Sequence, residues 1–334
     1  MRLEPLLKAL ADPTRLRIMR LLAHMELAVG ELAQVLEQSQ PRVSRHIRIL
    51  CSAGLAERRK EGSWVFLRAA ISENGAPPLA AATAHLLNVS ENDDPAFAAR
   101  CAEDRRHLAA IRAGRQASAE AYFARHAGEW DTLRSLHSPD RPVEQALGAL
   151  LGDGPLGALL DVGTGTGRMA ELFAPRASRV TGVDKSPEML RAARARLDKL
   201  PSGSVELVQG DFTALPFGGA GFDTVLFHQV LHYAQDPAAV LAEAARVTQT
   251  GGRLAIVDFA AHDREELRER HAHARLGFTD EQMIGWLEDA GFASEAVRAL
   301  PGQPLTVKIW TARKAESAPA PAAADEMQFE REEG

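Results

Sequence analysis

The chain has 334 residues, 46% of them hydrophobic, with 39 Lys/Arg against 45 Asp/Glu. That length allows two domains or three, each with its own core, and no stretch approaches the roughly 20 apolar residues a membrane span needs. Two cysteines, Cys51 and Cys101, exclude a disulfide framework, and the absence of an apolar signal core at the N-terminus makes the cytoplasm the expected location.

Charge is uneven along the chain. Residues 1–70 hold 12 Lys/Arg and 7 Asp/Glu, whereas the remainder holds 27 and 38. A basic head on an acidic body hints at a polyanionic partner for the head.

In chain order, Asp12 as N-cap and Pro13 open a helix that runs to Leu22, a second spans Val29 to Leu36, and a third spans Gln40 to Ser52. On the third, Val43, Ile47 and Leu50 share one arc, with Arg42, Arg45 and Arg48 opposite. Leu55 to Arg68 then reads as strand, basic turn at Gly62, strand. Alone, the third helix fits a solvated basic face as well as a recognition helix. A basic hairpin directly after it favours a winged helix-turn-helix, in which cations meet phosphates and a guanidinium can grip guanine. The residues assigned to DNA are Gln40, Arg42, Ser44, Arg45, His46 and Arg48 on the helix, with Arg58, Arg59 and Lys60 on the hairpin.

Ala11-Asp-Pro-Thr-Arg-Leu-Arg-Ile18 and Pro41-Arg-Val-Ser-Arg-His-Ile-Arg-Ile-Leu-Cys-Ser-Ala-Gly-Leu55 carry a resemblance to the ArsR family of winged-helix repressors. It implies a homodimer on two half-sites of double-stranded operator DNA. Metal-sensing members carry a cysteine pair in the helix that here reads Glu26 to Leu32. Ala28 and Gly30 stand in those places, and without thiolates a soft metal has no ligands there.

Residues 71–78 read as a turn and Leu79 to Val89 as an Ala-rich helix. Past Asn92-Asp-Asp-Pro95 a long charged helix is expected to about Leu136. Tyr122-Phe123 and Trp130-Asp131, near its end, look like a segment closing over a ligand; packing at a domain junction is the competing reading. His85, His107, His126 and His137 show no ligand spacing and read as surface residues.

The richest motif is Leu159-Leu-Asp-Val-Gly-Thr-Gly-Thr-Gly167, followed by Arg179-Val-Thr-Gly-Val-Asp184. An apolar run, alternating glycines and a helical pattern make a strand, a tight turn and a helix N-terminus, where backbone N–H groups approach a ligand closely. Asp184 sits where a carboxylate takes ribose hydroxyls. Arg168 stands where a dinucleotide fingerprint places its last glycine, which weighs against NAD and FAD. Strands at 158–163, 179–184, 205–210, 223–228 and 253–259 alternate with helices near 168–174, 187–199, 237–247 and 279–290, so the sheet is expected to be parallel and doubly wound. The runs 293–300 and 305–313 are joined by Pro-Gly-Gln-Pro, too short to cross over, and must be antiparallel. The expected fold is an N-terminal all-α/winged-helix DNA-binding domain plus an α/β doubly wound, Rossmann-like domain. Boundaries fall at 1–90 for the head, 91–140 for a helical linker and lid, 141–314 for the second domain and 315–334 for a disordered tail.

Over residues 120–313 these features resemble the class I methyltransferases that use S-adenosylmethionine (SAM). The resemblance implies that Asp161, Gly163, Gly165 and Gly167 hold the methionine end of SAM or of its product S-adenosylhomocysteine (SAH). Asp184 then takes the ribose, Asp211 and Phe212 the adenine, and His228, in Phe227-His-Gln-Val-Leu-His-Tyr233, lines the methyl-donor pocket. The fusion resembles ArsR-type regulators that respond to SAH, which makes a repressor with SAM or SAH as effector the first reading. An active small-molecule methyltransferase with a DNA-binding head is the second, because cofactor motifs alone do not separate sensor from enzyme. Catalytic-base candidates are His228, His232, Tyr233, His262, His271 and His273. His228 and His232 are spaced i,i+4 without a third ligand, so no metal is expected. No Asn/Asp-Pro-Pro-Tyr/Phe segment of an amino-base DNA methyltransferase is present.

Overall fold

The computed structural model describes residues 2–23, 25–71, 77–135 and 140–315. His137 and nearly all of the 315–334 tail, read above as surface and disordered, lie outside the described residues, as does most of the 71–78 turn.

A short helix α1 (Leu3–Leu10) precedes the expected elements. The Asp12 carboxylate accepts from Arg15 N at 3.0 Å and starts α2 (Pro13–Leu22). Next come β1 (Leu27–Ala28), α3 (Val29–Val35), α4 (Gln40–Ser52), β2 (Ala56–Glu61) and β3 (Trp64–Ala69). The strands form an antiparallel sheet in the order β1-β3-β2. Glu26 to Leu32, read from the resemblance as one helix, is instead a strand entering α3. Ile18, Leu32, Val43, Ile47, Leu50, Leu55 and Leu67 make the core of this head.

Two helices follow, α5 (Pro78–Asp93) and α6 (Pro95–His126). Leu87 of α5 and Leu108 of α6 complete the head's core, so the first half of α6 belongs physically to the head. The single helix expected to Leu136 is broken. A 3-10 turn at Ala127–Glu129 bends the chain into α7 (Trp130–Ser135), and Gly128 in that turn supplies a weak helix former where the bend falls.

After α8 (Asp140–Leu150) comes a seven-stranded sheet of β4 (Gly157–Val162), β5 (Ala177–Asp184), β6 (Val205–Gln209), β7 (Phe222–His228), β8 (Thr248–Phe259), β9 (Phe292–Leu300) and β10 (Val307–Lys314). Its order is β6-β5-β4-β7-β8-β10-β9, with β10 antiparallel to both β8 and β9 and the other pairs parallel. Helices α9 (Arg168–Phe173), α10 (Pro187–Leu197), α11 (Pro237–Val247), α12 (Glu265–Arg270) and α13 (Asp280–Asp289) accompany it. The central strands β4 and β7 are covered on both faces, with Leu159, Leu160 and Val225 to Phe227 fully buried, which is why their sequences are continuous apolar runs. Strand order reverses between β4 and β7. A crevice opens at the carboxyl ends of strands at such a switch point.

Candidate functional site

Gly163, Gly165 and Gly167 all adopt positive φ, between 54° and 80°, which L side chains resist. Their surroundings differ. A Cβ on Gly163 would lie 2.3 Å from Val230, and one on Gly167 would crowd Ala193 and Leu197 of α10. On Gly165 it would point at the Trp130 indole 3.7 Å away, across the mouth of the crevice. The crevice brings together Asp161, Gly163, Gly165, Asp184, Asp211, Phe212 and His228, with Tyr233 also in its lining. Gln116, Glu120 and Phe123 of α6 and Trp130 and Arg134 of α7 cover it. Of the residues assigned to a cofactor, only Gly167 stands outside the lining, where it packs the turn against α10.

The carboxylates of the crevice are prepared differently. Asp184 accepts from Gly165 N at 2.9 Å and Ser186 N at 2.8 Å, so it braces the glycine turn. Asp161 is wholly buried beneath the turn and accepts from Thr164 Oγ1 at 2.6 Å; burial pushes its carboxyl up to about 6. Asp211 binds Lys185 Nζ at 2.8 Å; burial works to raise its carboxyl, but that cation and Thr213 hold it below the usual range. Burial lowers His228 to about 3, leaving a neutral imidazole whose Nε2 is buried without a hydrogen-bond partner among the described residues. The two covering helices are pinned to the turn. Asp131 of α7 accepts from Thr166 Oγ1 at 2.7 Å and pairs with Arg196, while Glu120 of α6 pairs with Lys185 at 2.8 Å. A buried carboxyl, a neutral imidazole and a carboxylate at the end of β5 thus line one crevice.

On the head, Val43, Ile47 and Leu50 seat α4 in the core, and Gln40, Arg42, Arg45 and Arg48 face solvent, with Ser44 half-buried. His46 turns the other way, its Nδ1 3.6 Å from Asp12. Side chains alternate across a strand, and on β2 this puts Arg58 and Lys60 outward but Arg59 on the opposite face with the buried Glu61. Arg59 and His46 therefore do not share a surface with the other residues assigned to DNA.

A family model described as a bacterial regulatory protein of the arsR family matches residues 12–58, and a methyltransferase-domain model matches residues 160–256. The chain is 38% identical over 147 residues to a phosphatidylethanolamine N-methyltransferase of Cereibacter sphaeroides, covering 43% of this chain and 69% of that one. It is 50% identical over 64 residues to the arsenical resistance operon repressor of Escherichia coli, covering 19% and 55%. The chain belongs to the methyltransferase family of that first relative and carries an arsR-type helix-turn-helix segment at its N-terminus. Across these curated relatives the matches span 41–69% of the relative's own length. Among solved structures, a chain from the Haloferax volcanii complex of the Trm112 methyltransferase activator and a methyltransferase shares the fold at a TM-score of 0.50 and 21% identity, covering 58% of this chain and 98% of that one.

In this ArsR–methyltransferase fusion the two halves share an interface invisible to either family model. Glu61, at the tip of the wing, accepts from Leu276 N at 2.8 Å and from Arg268 at 3.1 Å. Arg275, 2% exposed, reaches Glu26 beside β1 at 2.9 Å, and Arg59 completes the cluster by pairing with both Glu26 and Glu61. Burial works to raise the Glu26 carboxyl, but the Arg275 and Arg59 guanidiniums outweigh it and hold it low. Arg268 lies over Trp64 and Arg275 over Phe66, each 4.2 Å from the ring centre. Ser63 N donates to Glu265 at 2.6 Å, and a Cβ on Gly62 would collide with Glu265 and Leu276. Sequence reasoning found the wing but missed this clasp; the signal was Glu61 and Trp64 flanking the glycine of a basic hairpin.

The remaining histidines gather behind the crevice. His232 stacks on His273 at 4.1 Å and touches Tyr233 and Phe259. Tyr122 Oη and His271 Nδ1 are 2.9 Å apart. His262 is further out beside Phe259, its imidazole lowered by burial to about 4. Among the described residues, no group of three or more His, Cys, Asp or Glu side chains could hold a metal, and no helix is long and apolar enough to cross a membrane.

Proposed function

We propose that this protein is a cytoplasmic homodimeric repressor whose methyltransferase-fold domain binds SAM or SAH as its effector. Ligand is held by Asp161, Gly163, Gly165, Asp184, Asp211, Phe212 and His228. DNA is met by Gln40, Arg42, Ser44, Arg45 and Arg48 of α4 and by Arg58 and Lys60 of β2. Leu3 and Leu7 on α1 and Leu86 and Val89 on α5, large apolar side chains left exposed, support pairing of two heads.

One observation carries the reading: the chain segment that clasps the wing also hangs from the wall of the ligand crevice. The His232 carbonyl accepts from Ala274 N at 3.0 Å and Arg275 N at 2.9 Å, and the Gln235 carbonyl accepts from Arg275 Nη2 at 3.0 Å. Residues 232–235 flank Tyr233, which lines the crevice. A ligand that shifts this turn moves Arg275 and with it Glu26, Glu61 and the wing. Differential affinity for two wing positions is what effector control requires.

Operator titrations with and without saturating SAH or SAM test this. A coupling of about 1–3 kcal/mol gives a 5- to 150-fold change in DNA affinity, and DNA must change SAH affinity by the same factor. Relief of repression by SAH is the expected sign. Superimposable titrations would remove the effector role. The second reading, an active methyltransferase, is favoured by the pairing of His232 with Asp258.

A further inference from the structure

We infer that the cavity behind the crevice is an acceptor site for a hydroxyl on a planar ring, a phenol or enol, with His232 as the general base that takes its proton. The inference rests on the reading of the main crevice as a SAM/SAH site.

His232 is 2% exposed and Asp258 wholly buried, and His232 Nδ1 lies 2.7 Å from Asp258 Oδ1. The carboxylate is fixed by two backbone donors, Phe259 N at 2.8 Å to the same oxygen and His232 N at 3.1 Å to the other. An acid held in this way keeps the proton on Nδ1 and leaves the Nε2 lone pair as the free end of the imidazole. That Nε2 is buried and has no hydrogen-bond partner among the described residues. A buried acceptor left unsatisfied is costly, so such a group marks a place where a donor binds.

The wall around it says which donor. His232 lines a cavity with Tyr122, Trp130, Leu133, Gln229, Tyr233, Phe259, Arg134 and two further histidines, His271 and His273, and four of these (Trp130, Arg134, Gln229, Tyr233) also line the main crevice. The rings suit a flat, uncharged molecule seated across the junction of the two spaces. The cation in the wall, Arg134, is already paired with Asp140 at 3.1 Å. Gln229, at that junction, is held at φ 54°, a strained conformation for a side-chain-bearing residue of the kind found at binding sites. A neutral amine can attack with its own lone pair. A hydroxyl is a weak nucleophile until a base removes its proton, and that is the task for which an Asp-oriented histidine is suited.

The step balances. The acceptor O–H proton passes to His232 Nε2, and Asp258 stabilises the imidazolium through Nδ1–H. The oxygen lone pair forms the new O–CH3 bond while the S–CH3 bond of SAM breaks and its electron pair stays on sulfur, leaving SAH.

The test uses the full-length protein with SAH bound and two probes, 4-nitrophenol and its methyl ether 4-nitroanisole, which lacks the proton. The phenol should bind about 5- to 100-fold more tightly than the ether, and its bound form should show phenolate absorption at a pH where the free phenol is protonated. His232→Phe and, as a gentler variant, His232→Gln should abolish both effects. Asp258→Asn, which lets the wrong nitrogen carry the proton, should weaken them. SAH affinity measured in the same samples should stay at the wild-type value. Equal binding of phenol and ether, or discrimination that survives in the His232 variants, overturns the acceptor site. Failure of the wild-type protein to bind SAH would instead remove the reading of the main crevice.

Discussion

Asp161 shows how much a single buried side chain can report. With its carboxyl raised to about 6 by burial, it holds a proton in the folded protein across a range where an ordinary carboxylate, near 4, has lost it. The sign for stability follows from that. The unfolded chain gives up this proton first, so the residue costs stability as pH climbs from about 4 to about 6, by up to about 3 kcal/mol. A ligand ammonium beside it favours the charged form, so SAH binding near pH 5 should release a proton. Calorimetry in buffers of different ionisation heat measures this release, and a binding enthalpy independent of buffer would contradict it. The motif made Asp161 and Asp184 visible as a pair, because glycine spacing and strand ends are written in the sequence. It did not reveal that Asp184 braces the turn through Gly165 while Asp161 lies wholly beneath it; burial depends on what packs around the strand end in the folded chain. The glycines divide in the same way, Gly163 facing Val230 and Gly165 facing Trp130.

At the scale of elements, α4 was legible almost to the residue, since the apolar arc of Val43, Ile47 and Leu50 runs the length of Gln40 to Ser52 and Pro41 falls in its first turn. Arg45→Ala should weaken operator binding by about 1–3 kcal/mol and relax base preference, with SAH affinity unchanged. Gel-shift titration on a mapped operator checks it, and unaltered affinity would remove α4 as the reading helix. The β2 strand was legible in part. Alternation alone separates Arg58 and Lys60 from Arg59 and Glu61, but only the distant segment 265–276 explains why the second face carries a buried acid. Helix α12 escaped notice because Glu265-Glu-Leu-Arg-Glu-Arg270 has one apolar residue and so no period. The break after His126 escaped because local propensity on both sides is helical and Gly128 alone is a weak signal; Phe123 and Trp130 meet across the bend, over the crevice.

The whole molecule turns on the clasp between wing and methyltransferase domain. Arg275→Ala would strip Glu26 of one of its two guanidiniums and leave Arg59 to bridge Glu26 and the buried Glu61, and losing a charged hydrogen-bond partner of this kind costs about 1–3 kcal/mol. The expected result is a lower melting temperature together with faster hydrogen exchange in β2 and β3. Unchanged protection of the wing amides would show that the ion cluster does not hold it. The same clasp sets a timetable for the growing chain. Glu61 and Leu276 are 215 residues apart, as are, at 202, Ser63 and Glu265. At about 5–20 residues per second, translation leaves the inner face of the wing, with Trp64 and Phe66, without its cover for roughly 10–40 s. A ribosome that stalls in that interval releases a head bearing an uncovered aromatic sheet face, a substrate for chaperones rather than a finished DNA reader.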